Sequence, residues 1–100
     1  MTSLERAYDA LGDLMEEIPD RIGIRSWEIH ADYVGGHIDP TLGSTPAREA
    51  VRWLADQFDL AYSAEDRTTY DMVQATGLFD GIPVQLWAHV HRMPEPESQD

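Results

Sequence analysis

Val73-Gln74-Ala75-Thr76-Gly77-Leu78-Phe79-Asp80-Gly81-Ile82-Pro83-Val84-Gln85-Leu86-Trp87-Ala88 carries the strongest fold signal in the chain. Asp80-Gly81 lies between two β-rich runs, and a type I′ turn needs positive φ at both central positions, which aspartate tolerates and glycine favours. A two-residue hairpin therefore joins a segment running from Thr68 to Phe79 to a return strand from Ile82 to His91. Along that return strand Val84, Leu86, Ala88 and Val90 alternate with Gln85, Trp87, His89 and His91, the period of a strand with one buried and one open face. Pro83 cannot donate to a ladder, so its part of the strand is expected at an edge or a non-bonded position.

Working outward, Leu60 to Ala64 reads as a short strand, with Glu65-Asp66-Arg67 as the turn into the hairpin. Ser26 to Tyr33 alternates Trp27, Ile29, Ala31 and Tyr33 against Glu28, His30 and Asp32, a second half-buried strand. Gly35-Gly36 reads as a turn or bulge, and His37-Ile38 as the start of a short strand that Asp39-Pro40 stops.

Two helical patterns complete the set. Leu4, Ala7, Tyr8, Leu11, Leu14, Met15 and Ile18 recur at three- and four-residue spacing. They give a helix from Thr2 to Ile18 with a single apolar face, capped by Thr2 and Glu5 and ended by Pro19. Thr45-Pro46 is a second helix start, and Ala47, Ala50, Val51, Leu54 and Phe58 form the buried stripe of a helix ending near Asp59. The order α-β-β-α-β-β-β predicts an α+β fold, a mainly antiparallel sheet with two helices on one face. Residues 1–92 are expected to form a single α+β domain and residues 93–100 a flexible acidic tail.

The chain has 100 residues, 42% of them apolar, enough for one core and not for two. It holds no cysteine, and its seven basic residues are all arginine, which removes disulfides, thiolate chemistry and any P-loop or Schiff-base lysine. Nineteen acids bring the net charge to -12, and the tail supplies only Glu95, Glu97 and Asp100 against Arg92, so the charge belongs to the body. Such a surface repels nucleic acid and anionic membranes and attracts basic partners. No apolar run approaches the length of a membrane span, and a cytoplasmic setting is expected.

The first helix carries Glu5, Asp9, Asp13 and Glu17 at four-residue intervals, with Glu16 and Asp20 extending the row. Like charges at that spacing disfavour a helix by roughly 0.2–0.5 kcal/mol per pair, which invites a reading as a surface for a basic protein partner. One form of that reading is a mimic of DNA that occupies a nucleic-acid-binding protein. Four helical residues advance about 6 Å whereas phosphates on one strand lie about 3.4 Å apart, so further acids such as Asp32, Asp39 or Asp59 would have to join the row. Against this stands the plain alternative of a solvated acidic face.

The histidines supply a second candidate. His89 and His91 share one side of the return strand, and Glu28, His30 and Asp32 share one side of another. If those strands were neighbours, His30, His89 and His91 would form a ligand set for a metal-dependent enzyme, against the alternative of polar residues on an open sheet face. Trp87 has the parity of the histidines, which makes it a candidate interface anchor for a foreign partner or for a homodimer. No other catalytic motif is present: Gly43-Ser44 is no nucleophile elbow, and Gly35-Gly36 leads toward a strand and not a helix.

The run Thr76 to Ala88, with Trp27-Glu28-Ile29-His30 and Leu54-Ala55-Asp56-Gln57-Phe58, resembles a pattern in small uncharacterised acidic proteins of actinobacteria and actinobacterial phages. The resemblance implies a high-GC or phage setting and brings no catalytic residues and no cofactor. The combined expectation is a non-enzymatic protein-binding module, an inhibitor or regulator of a host protein. A homo-oligomeric accessory protein and a His-ligated metal enzyme are the competing readings.

Overall fold

A computed structural model describes residues 3–66 and 70–91. Its elements are α1 (Ser3–Glu17), β1 (Ile24–His30), β2 (Tyr33–Ile38), a 3-10 turn (Pro40–Leu42), α2 (Ala47–Gln57), β3 (Ala61–Asp66), β4 (Tyr70–Phe79) and β5 (Ile82–His91). The strands form one sheet in the order β1-β2-β5-β4-β3, antiparallel throughout except for the parallel pair β2 and β5. Both helices pack on one face, α1 over β1, β2 and β5, and α2 over β2, β5, β4 and β3. The expected α+β architecture and element order hold. Thr2, Arg67 and the acidic tail lie outside the described residues, whereas Glu65 and Asp66, expected in the turn, continue β3 and pair with Met72 and Asp71.

The hairpin at Asp80-Gly81 has φ of 53° and 78°, the positive values that a type I′ turn requires. Phe79 pairs with Ile82 and Leu78 with Pro83. Bonded and non-bonded pairs alternate outward from a two-residue turn, so the position where Pro83 lacks an N–H faces β2, whose pairing with β5 begins only at Val84. The proline thus sits in a central strand without orphaning an acceptor.

Two further sequence expectations change. The first strand ends at His30, and Ala31-Asp32 forms the turn, so Tyr33 begins β2. Gly35-Gly36 is not a turn but the middle of β2, and packing explains it. A Cβ on Gly36 would come within 2.9 Å of both Leu86 Cδ2 and Trp27 Cζ3, so the glycine makes room for the Trp27 ring against the sheet. The second change is the start of α2. Pro46 takes the N-cap position with no side-chain cap, and its carbonyl accepts from Ala50 N (2.8 Å). Thr45 is buried instead, its Oγ1 accepting from Arg21 Nη1 (3.1 Å).

The core lies between sheet and helices. Leu14, Ile38, Leu54, Leu86, Val34, Val51 and Val73 are its largest fully buried side chains. At one end the segments before β1 and after β2 are laced together: Asp39 N donates to Gly23 O (2.9 Å), and Ser44 N and Thr45 N both donate to Arg21 O (2.9 and 3.0 Å). Asp39 fixes this corner. Its carboxylate accepts from Thr41 Oγ1 (2.6 Å), Thr41 N (2.9 Å) and Arg25 Nε (2.9 Å), which hold its pKa down at about 2. A carboxyl with a lowered folded pKa adds stability above its unfolded value of 3.8, and that stability is lost as pH falls toward 2. Asp39→Asn is therefore expected to remove part of the acid limb of a stability–pH profile between about pH 4 and pH 2, measured by urea denaturation. An unchanged acid limb would contradict this.

Candidate functional site

Helix α1 presents three distinct strips. Ala7, Ala10, Leu11 and Leu14 face the sheet and are buried. Glu5, Asp9, Asp13, Glu16, Glu17 and Asp20 are exposed, as the sequence spacing predicts. The third strip corrects an expectation. Leu4, Tyr8 and Met15 belong to the same apolar pattern as Leu11 and Leu14, yet they are 44%, 58% and 56% exposed. At about 100° per residue the seven apolar positions span about 120°, and Leu4, Tyr8 and Met15 fall together at one edge of that arc, the edge at which Met15 meets the groove beside β1.

On that side a groove of about 290 Å³ runs between the C-terminal half of α1, the Pro19–Gly23 connection and β1. Met15, Ile18, Ile22, Ile24, Trp27 and Leu42 contribute apolar side chains to it, Asp20 contributes a carboxylate, and polar atoms make up the larger share of its open surface. Leu42, on the 3-10 turn, is 58% exposed. It is placed there by the Gly23 and Asp39 crossing, a long-range contact with no local sequence signal.

The opposite flank of α1 meets the hairpin tip. Asp13, Glu16 and Glu17 line one hollow with Phe79 and Asp80, and Arg6, Asp9 and Asp80 line the next. A hydrogen bond with Asp80 raises the pKa of Asp13, and desolvation and the charge of Asp80 push the same way. The acid that joins the row is thus Asp80, while Asp39 is committed to Arg25 and Thr41. A carboxyl whose folded pKa is raised favours folding at low pH, and this contribution is lost as pH rises past that pKa. Asp80→Asn, which also suits the positive φ, is expected to raise the melting midpoint at pH 7, with a gain that shrinks toward pH 4. A gain independent of pH would refute the carboxyl pairing.

The open sheet face carries the predicted Trp87, half-buried among neighbours. His37 stacks on its ring at 4.1 Å and 6°, and His89 lies 5.0 Å from Trp87 and 4.5 Å from Tyr70, centroid to centroid. Desolvation, then the nearness of His89 and Arg25, lowers the pKa of His37 against the opposing pull of Asp39. Beside this cluster Gln85 Nε2 donates to Gln74 Oε1 (2.7 Å). These rings are largely engaged with one another, whereas Tyr8, Met15 and Leu42 show more than half of their surface.

The metal reading required β1 beside β5, and β2 lies between them. His30 is opposite Tyr33 and stacks on it at 4.4 Å, whereas His89 is opposite Met72 toward the other end of the sheet. His91 is opposite Tyr70. Among the described residues no three His, Asp or Glu side chains are grouped to hold a metal ion. Nor is any described helix long and apolar enough to cross a membrane. Comparison with family models, curated proteins and solved structures gives no match.

Proposed function

We propose that the chain is a non-enzymatic protein-binding module that docks a basic partner on the uncovered side of α1. What carries the reading is the exposed apolar strip of Leu4, Tyr8 and Met15, continued by Leu42 at the groove beside β1. An uncovered apolar strip bordered by charge is the composition of a recognition surface, with apolar anchors giving affinity and charges steering the encounter. The carboxylates of Glu5, one turn from Tyr8, and of Asp20, in the groove, select a partner rich in arginine or lysine. A nucleic-acid-binding protein of the host, inhibited or regulated by its occupation, is the class that fits this charge.

A photo-crosslinking amino acid at Tyr8, with the same group at the exposed Gln57 of α2 as control, tests the reading in lysate. The expected result is one basic protein joined at Tyr8 and absent at Gln57, with adduct yield reduced at least about tenfold by Met15→Glu. Equal labelling from both positions, or an adduct indifferent to Met15→Glu, would overturn it.

A further inference from the structure

α1 overhangs the sheet. In a two-layer arrangement the apolar side of a helix is covered by the strands beneath it, and here the strands end at β1 while the apolar strip of α1 continues outward. The uncovered strip and the groove under Met15 occupy the place of a strand that this chain does not supply.

β1 offers the backbone for such a strand. The two-residue turn at Ala31-Asp32 makes His30 and Tyr33 a hydrogen-bonded pair, and the alternation makes Glu28 with Gly35 and Ser26 with His37 bonded pairs as well. Trp27 and Ile29 hold the non-bonded positions opposite Gly36 and Val34, so their N–H and C=O groups point outward from the sheet edge. Their side chains also lie on the helix face, packed against the core. A strand laid beside β1 would bond to Trp27 and Ile29 and send alternate side chains beneath Met15 and Leu42. The bulge between Ile24 and Ser26 limits the regular edge to Ser26 through His30.

We propose that β1 accepts an extended segment of a partner protein as a sixth strand, with small apolar side chains in the groove under α1 and basic side chains on the opposite face. The proposal rests on the protein-binding reading above and specifies its geometry. Charge decides the occupant. Glu28 lies on the open face of β1, the face on which the basic side chains of an added strand would fall, so arginine or lysine at alternate positions complements the edge. A second copy would instead bring two chains of net charge -12 together edge to edge.

The test uses the full chain, labelled for NMR, with two peptides of equal charge: Val-Arg-Val-Thr-Val-Arg-Val, which alternates, and a helical leucine–lysine heptad peptide. With the alternating peptide, hydrogen exchange at the Trp27 and Ile29 amides is expected to slow at least about tenfold, Glu28 to remain unchanged, and the Met15 methyl resonance to shift. Ile29→Pro, which removes one outward N–H from an edge strand, is expected to weaken this peptide at least about fivefold. A silent proline variant that circular dichroism shows to be folded overturns the proposal. If the helical peptide shifts Met15 and neither peptide protects Trp27 and Ile29, strand addition is overturned while α1 stands as the binding surface. If neither peptide moves Met15, strand addition is again overturned, and the crosslink from Tyr8 decides the broader reading. A stable dimer of the chain alone, with Trp27 and Ile29 already protected, overturns the foreign partner as occupant.

Discussion

Gly23→Ala is expected to destabilise the protein by about 3 kcal/mol. A Cβ at this position would stand 2.5 Å from Asp39 O, 2.7 Å from Leu42 C and 2.8 Å from Gly43 N, all of them backbone atoms that no rotamer change can move. Gly43 mirrors the constraint, since its own Cβ would meet Arg21 O and Gly23 N. The two segments must separate to admit a methyl group, which strains or breaks the bonds from Asp39 N to Gly23 O and from Ser44 N and Thr45 N to Arg21 O. Three such bonds at roughly 1 kcal/mol each set the scale. Urea denaturation of the variant should show the midpoint falling with little change in slope. A loss below about 1 kcal/mol would mean that the crossing relaxes cheaply, and the placement of Leu42 over the groove would then lack its support.

Leu14 and Met15 are adjacent in sequence and are expected to respond in opposite ways. Leu14 is fully buried beneath α1, so Leu14→Ala leaves a cavity between helix and sheet and is expected to cost about 3 kcal/mol, within the usual range for core leucines. Met15 is 56% exposed, and Met15→Gln should change stability by less than about 0.5 kcal/mol while weakening the partner. Thermal or urea unfolding of the two variants side by side measures the contrast. If Met15→Gln proves as damaging as Leu14→Ala, the methionine is part of the core and the uncovered strip does not exist in solution.

The hairpin and the parity of β5 were legible because both rest on local signals: φ at Asp80-Gly81 and a period of two from Val84 to Val90. The acid row was legible for the same reason, as a spacing along one helix. β2 is hidden at Gly35-Gly36 because adjacent glycines usually mark turns, whereas here Gly36 answers to Trp27 on β1 and Leu86 on β5, contacts that exist only after the strands pair. The parallel pairing of β2 with β5 has no local sequence signal either. It is what sets His37 on Trp87 and separates His30 from His89.

The candidate site was half legible. The seven apolar residues of α1 could be counted from the sequence, and a face that wide already exceeded a narrow stripe. What the sequence could not state is where the sheet stops, and the β1 edge decides that Tyr8 and Met15 are left outside while Leu11 and Leu14 are not. Asp80 likewise reaches the acid row only because the hairpin tip meets α1.

The most direct measurement of the central claim is the affinity of the purified partner identified from Tyr8 for wild type, for Met15→Glu with Leu42→Glu, and for Trp87→Ala, each checked for an unchanged melting midpoint. The account predicts that the double variant binds at least about thirtyfold more weakly while Trp87→Ala binds nearly as well as wild type. Undiminished binding by the double variant together with loss on Trp87→Ala would contradict it and place the interface on the open face of the sheet.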